Sequence, residues 1–202
     1  MAWAPAYASA ADLAGWLGVD TDPQLALATE TASRAIDKAT GRQFGLLSSS
    51  EFRWFTAEWF RDQWIVDIDD LMNTTGLTVE TVDAKGNPVA EVTDYLLTPR
   101  NAASKGRPYT RIEILSSSTV KPDRHGVQVT ARWGWTEVPQ PIKLATLIQA
   151  ARLYERRENT AGQLTDVKVD DVGYKWSAGA SEELDPDVLA SIRPYVKLWA
   201  AA

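Results

Sequence analysis

The chain has 202 residues, 45% of them hydrophobic and nine of them tryptophan, enough to bury a sizeable core and too many for a globally disordered polymer. Lys and Arg total 21 against 27 Asp and Glu, and the net charge of -6 argues against a surface built to wrap nucleic acid. Cysteine is absent, which excludes disulfides, thiolate nucleophiles, zinc knuckles and iron–sulfur clusters together.

The opening Met1-Ala2-Trp3-Ala4-Pro5-Ala6-Tyr7 lacks a basic region and a continuous apolar stretch, and no run of about 18 apolar residues follows. The expectation is a cytoplasmic protein where it is made, with no membrane partner. Ser9 followed by Asp12 forms the pattern of a capping box, and Leu13, Trp16 and Leu17 repeat at helical spacing before Gly18, predicting a short helix over 10–17. Asp22-Pro23 then reads as a cap and a first-turn proline. Leu25, Ala28, Ala32, Ala35, Ile36 and Ala39 continue at three- and four-residue steps to about Thr40, where Gly41 supplies a left-handed stop. A stripe this rich in alanine lets a neighbouring helix approach closely.

From Glu51 to about Trp135 the pattern turns to short runs rich in β-branched and aromatic residues. Strands are expected over 63–68, 77–82, 95–98, 111–115 and 127–133, with a turn over 83–88 and an exposed loop over 101–108. Pro139 and Pro141 open a third helix in which Ile142, Leu144, Ala145, Leu147, Ile148, Ala151, Leu153 and Tyr154 cover nearly the whole circumference, the pattern of a buried helix. Val167, Val169, Val172, Tyr174 and Trp176 around Asp170-Asp171 suit a small hairpin. Asp185 caps a last helix from Pro186 with Val188, Leu189, Ile192, Val196 and Trp199 on one face, kinked at Pro194. The fold class is α+β: a small bundle of about four helices over 1–48 and 136–202, carrying a β-rich insert over 49–135.

No catalytic constellation emerges, so no enzyme and no cofactor are expected. His125 is the single histidine and sits in a turn without a nearby triad pattern. Asp67, Asp69 and Asp70 are the densest carboxylates, but they lack the glycine-bearing spacing of a calcium loop and read as charges at a strand end. Phe52, Trp54, Phe55, Trp59, Phe60 and Trp64 are the most unusual local feature. Core packing of the insert is the leading reading, ahead of a protein interface and of a platform for stacking sugars or bases.

With these segments laid out, the sequence resembles the head-to-tail connector, or adaptor, family of long-tailed bacteriophages, the head-completion proteins beneath the portal. The likeness lies in Tyr7-Ala8-Ser9 through Leu13 and Leu17-Gly18, in Ala32-Ser33-Arg34-Ala35-Ile36-Asp37 and in Thr40-Gly41-Arg42-Gln43-Phe44. It continues in Tyr95-Leu96-Leu97-Thr98-Pro99-Arg100-Asn101-Ala102 and Gly106-Arg107-Pro108-Tyr109. The strongest block is Val129-Thr130-Ala131-Arg132-Trp133-Gly134-Trp135, through Val138-Pro139 and Ile142-Lys143 into Ala150-Ala151-Arg152-Leu153-Tyr154-Glu155-Arg156-Arg157. Asp185-Pro186-Asp187-Val188 and Arg193-Pro194-Tyr195 finish it.

The resemblance implies a structural virion protein of the phage neck, made in the bacterial host cytoplasm. About twelve copies would form a homo-oligomeric ring through heterologous contacts. The ring would bind the portal on one side and a stopper or other neck or tail protein on the other, with DNA passing through the lumen unread. Tyr195, Val196, Leu198 and Trp199 are then expected at the portal, Arg152, Arg156 and Arg157 between subunits, and Asn101, Lys105 and Arg107 in a tail-side loop. The alternatives are a nucleic-acid-binding module, from the helix spacing across Gly18 to Pro23, and a carbohydrate-binding module using the aromatic insert.

Overall fold

The computed structural model describes residues 3–123, 125–156, 166–169, 172–175, 184 and 186–197. The chain divides into two compact units, residues 1–43 with 138–202 and residues 44–137. Among the described residues the first holds four α-helices and the second two four-stranded antiparallel sheets, an α+β fold.

In the first unit, helix α1 is Ala10–Leu17. The Ser9 hydroxyl accepts the Asp12 amide at 3.0 Å while the Asp12 carboxylate accepts the Ser9 amide at 2.9 Å, satisfying two of the donors that every helix start leaves open. Helix α2, Pro23–Thr40, starts on Asp22, whose carboxylate accepts the Gln24 amide at 2.8 Å, and stops at Gly41 in the left-handed region. Both helices have the bounds that their caps predict.

Leu13, Ala14, Leu25, Ala28 and Ala32 pack with Leu147, Ala150 and Ala151 of helix α3, Gln140–Arg156, and small residues at the centre bring the helices close. The buried stripe of α2 differs from the expected one. Ala35 and Ala39 are half-buried, whereas Thr29, Ser33 and Thr40 are buried. Their hydroxyls donate to carbonyls three or four residues back (Ala26, Thr29 and Ile36, at 2.7–2.9 Å), which removes the penalty of burying a polar group.

Helix α3 is not buried all round. Leu144 is 44% exposed and Ile148 half-buried one turn on, so an apolar flank stays open where full burial was expected. Helix α4, Pro186–Ile192, ends where a kinked continuation was expected: Arg193–Tyr195 form one 3-10 turn and Val196 is extended. Pro194 has no amide hydrogen to continue an α-helix. The Asp185 cap, Trp176 and the Asp170-Asp171 turn lie outside the described residues. The hairpin itself is present in the backbone, as β9 (Asp166–Val169) antiparallel to β10 (Val172–Lys175) in a two-stranded sheet of its own.

In the second unit, β1 is Glu51–Phe55, β2 Glu58–Phe60, β3 Gln63–Leu71, β4 Asn73–Val82, β5 Pro88–Glu91, β6 Tyr95–Thr98, β7 Tyr109–Ile114 and β8 Val127–Arg132. One sheet has the order β1-β8-β4-β5 and the other β2-β3-β7-β6. Strands β1, β2 and β5 go beyond those expected from sequence. In β8, Val127, Val129 and Ala131 are buried and alternate with half-buried Gln128, Thr130 and Arg132, the two-residue period of a sheet with one covered face. Trp133 and Trp135 follow, both fully buried, with the Trp135 ring 5.0 Å from Phe44. Between them Gly134 adopts φ 106 and donates to the Asp70 carbonyl at 2.7 Å.

Candidate assembly surfaces

The aromatic run of the second unit is mostly outside the core. Phe52, Trp54, Trp59 and Phe60 are each 51–58% exposed, which corrects the core-packing reading. The reason is topological: β1 and β2 are the edge strands of the two sheets. Alternation along β1 turns Arg53 and Phe55 toward Trp133, with the Phe55 ring at 5.4 Å and the Arg53 guanidinium at 5.1 Å, so Phe52 and Trp54 face outward. They meet edge to face at 5.0 Å, and the Trp54 indole nitrogen donates to the Gly86 carbonyl at 3.3 Å.

On the hairpin of β2 and β3, Trp59 lies directly across from Trp64, rings 5.3 Å apart. Arg61 and Asp62 close it with φ 48 and 64, the left-handed pair of a tight two-residue turn, and Arg61 covers the Phe60 ring at 5.0 Å. These aromatics are therefore held in place while open to solvent.

The carboxylates of β3 are each engaged separately. Asp67 accepts from Arg111 at 2.6 Å, Asp69 from Arg53 at 2.7 Å and Asp70 from the Trp135 indole at 2.8 Å. Among the described residues no group of three His, Cys, Asp or Glu could hold a metal ion. His125 sits in its turn with its amide bonded to Asp123 at 2.7 Å.

Of the residues expected at a portal, Tyr195 is half-buried, its carbonyl accepting from Arg42 at 2.8 Å, and Val196 is exposed. Leu198 and Trp199 lie outside the described residues. Val196 borders a groove of about 490 Å³ lined also by Ala39, Leu189, Ile192 and Arg193. The contributions of Ala39 and Leu189 follow from the α2 and α4 stripes; the groove itself was not legible. Arg152 is half-buried on α3 and Arg156 exposed in its last turn, while Arg157 lies outside the described residues. Asn101 and Lys105 are exposed and Arg107 half-buried, in a loop carrying one 3-10 turn, Ala103–Lys105. That loop has an interior anchor: Ala102 is buried and its carbonyl accepts the Arg107 amide at 2.9 Å.

Helices and sheets in this order define an α+β fold shared with subunits of particle necks. The chain is similar along its whole length to a protein of the neck of a native GTA (gene transfer agent, phage-like) particle determined with C12 symmetry, at 22% identity and TM-score 0.55, covering 100% of this chain and 95% of that one. It is likewise similar to a chain of the neck of an empty GTA particle determined with C6 symmetry, at 21% identity and TM-score 0.56, with the same coverage. No protein-family model and no curated protein matches the sequence. Among the described residues no helix is long and apolar enough to cross a membrane.

Proposed function

We propose that the chain is a non-enzymatic structural subunit of a phage-type neck, an adaptor that forms a ring of about twelve copies under the portal and links it to a stopper or other tail-side protein. The observation that carries this reading is the end-to-end likeness to chains of GTA necks with C12 and C6 symmetry. A ring of that kind needs rigid elements with open contact faces. The α2–α3 packing is such an element, and the exposed flank of α3, the groove beside Val196 and the aromatic edges of the second unit are such faces. The net charge of -6 suits a lumen through which DNA passes without being held. The protein then acts in the virion neck after synthesis in the host cytoplasm.

Tyr195, Val196, Leu198 and Trp199 meet the portal, Arg152, Arg156 and Arg157 the next subunit, and Asn101, Lys105 and Arg107 the tail side. Electron microscopy of the protein mixed with portal particles tests the role: a ring of added density supports it, and bare portals refute it. Deleting residues 194–202 is expected to leave a folded chain that no longer joins portals; unchanged joining removes the portal assignment. The exposed Trp54 and Trp59 favour one other reading, a carbohydrate platform, for which quenching of tryptophan fluorescence by oligosaccharides is the discriminating result.

A further inference from the structure

The β1-β8-β4-β5 sheet carries exposed apolar side chains and an uncompensated charge at each of its two ends. Phe52 and Trp54 are exposed on β1, and Val89 is exposed on β5. The register of β5 shifts between Thr81 and Val82, which leaves Val89 without a partner on β4. Glu91 stands directly opposite Glu80, and like charges so placed repel. At the other end Arg132 lies on β8 one step beyond the Glu51–Ala131 pair, in line with Ser50, and donates to the Leu47 carbonyl at 3.1 Å. Among the described residues neither Glu91 nor Arg132 has an ion pair.

Backbone geometry lets these two edges meet. Each neighbouring pair in the sheet is antiparallel, so β1 and β5 run in opposite directions. The Val92 amide donates to the Val79 carbonyl at 2.8 Å, which sets Val79 and Thr81 to bond toward β5. By two-residue alternation Thr78 and Glu80 bond toward β8, and Val127, Val129 and Ala131 toward β1. The backbone groups of Phe52 and Trp54 are then left at the free edge of β1, and that of Glu91 at the free edge of β5. An even number of strands thus presents residues of the same outer face at both edges. Such a sheet can repeat edge to edge while Val127, Val129 and Ala131 stay on its covered side.

We infer that the β5 edge of one copy pairs antiparallel with the β1 edge of a second copy of this chain, Val89 opposite Phe52 and Glu91 opposite Ser50, so that the sheet continues from subunit to subunit. In this register Val89 meets Phe52 directly and Trp54 on the diagonal, covering apolar surface that each edge alone leaves open. Ser50 is small, so Glu91 reaches across it toward Arg132, whose guanidinium already leans to the segment before β1 through Leu47. The second copy therefore supplies the cation that Glu91, set against Glu80, lacks in its own sheet. The contact is heterologous, since the two edges are different surfaces, and contacts of this kind generate rings when the rotation between copies closes.

The inference rests on the ring reading, and the experiment separates the two. The chain has no cysteine, so an introduced thiol reports alone. Full-length Phe52→Cys chains are mixed with size-tagged Val89→Cys chains under mild oxidant, with and without portal particles. In the control, Trp59→Cys replaces Phe52→Cys, at a similarly exposed aromatic on β2. Mixed dimers of positions 52 and 89 are expected to form at least about tenfold faster than in the control, because paired strands hold the thiols at high effective concentration. Charge is read in the same way. Glu91→Lys in the Val89→Cys chain removes the repulsion with Glu80, so that chain is expected to fold at least as stably as its parent while linking about threefold more slowly. Arg132→Glu in the Phe52→Cys chain is expected to restore the rate, and failure to restore it overturns this register. Rings that form on portals without faster linkage overturn the edge contact and leave the neck reading standing. Equal rates in test and control mixtures, with portals and without, also overturn it. Faster linkage without portals upholds the contact even where portals stay bare, a result that removes only the neck reading.

Discussion

The Lys143 ammonium of α3 donates to the Asp12 carboxylate of α1 at 2.9 Å, and the same carboxylate caps its own helix through Ser9. The Ser9 backbone amide first, then Lys143 and the Ser9 hydroxyl, hold the Asp12 carboxyl down to about 2, against an ordinary 3.8. A carboxyl depressed on folding stabilises above its unfolded value and loses that contribution as pH falls from about 4 toward about 2. Asp12 is a third exposed, so solvent screening reduces the effect to about 1 kcal/mol. Asp12→Ala is expected to lower unfolding free energy by about that amount at pH 7 and to flatten the acid limb of the stability curve. A variant as stable as the parent at pH 7 and equally acid-sensitive contradicts the assignment.

Tryptophans in the second unit divide into two populations that mutagenesis separates. Trp133 is fully buried, donates its indole hydrogen to the Glu51 carbonyl at 2.9 Å and packs on Phe55. Trp133→Ala is expected to lose about 3–5 kcal/mol in urea denaturation. Trp54→Ala removes an exposed ring and is expected to change stability by no more than about 1 kcal/mol, its effect appearing in association. Equal losses at the two positions would show that the Trp54 face is covered within the chain.

The same contrast marks what could be read from sequence. The first two helices were legible to the residue because their signals are local: Ser9 with Asp12, Gly18, Asp22-Pro23 and Gly41 act within one turn. The burial of Thr29 and Ser33 was not, since it depends on hydroxyls bonding back along the helix, which leaves no mark on apolar spacing. Whether Phe52, Trp54, Trp59 and Phe60 are inside depends on β1 and β2 being edge strands, a property of strand order that no short segment carries. The candidate surfaces were therefore less legible than the core. The loop over 101–108 and the basic end of α3 were legible from residue pattern, but the tail-side and inter-subunit roles given to them came from the family resemblance.

Tyr7 strapped onto α2 sets a second pH prediction. Its amide donates to the Ser33 hydroxyl at 3.0 Å and its own hydroxyl to the Asp37 carboxylate, which also lies 3.2 Å from Arg34. Burial pushes the Asp37 carboxyl up, while Tyr7 and Arg34 pull it back down. A carboxyl raised on folding favours the native state most below its unfolded value, and that contribution is lost as pH rises through the folded one. Tyr7→Phe raises it further, so the loss is expected to be about 2 kcal/mol at pH 7 and to shrink on acidification as Asp37 protonates. Denaturation of both chains from pH 4 to 8 checks this; a pH-independent difference speaks against it.

Arg156, exposed in the last turn of α3, separates structural from assembly roles by salt. Its favourable position at the helix C-terminus is worth at most about 1 kcal/mol, so Arg156→Glu is expected to fold. If it pairs with a carboxylate of the next subunit, ring assembly on portals weakens at low ionic strength, and the difference from the parent narrows as the Debye length falls from about 30 Å at 0.01 M to about 3 Å at 1 M salt. Sedimentation across that range reads the result. Undiminished assembly at the lowest salt removes Arg156 from the subunit contact.

Two glycines in the left-handed region give the sharpest stability contrast and bear on the β1 edge. Gly126 has φ 83, and a Cβ there would stand 2.1 Å from the Phe55 carbonyl oxygen at the end of β1. Since that atom is backbone, Gly126→Ala must shift either β1 or the start of β8, whose Val127 pairs with Phe55. The expected loss is about 3 kcal/mol or more, combining overlap with left-handed strain. Gly76 has φ 73 with nothing within 4 Å of the added carbon, so Gly76→Ala carries only the conformational term, about 1–2 kcal/mol. Denaturation midpoints that fail to separate the two glycines would refute a close approach at Phe55.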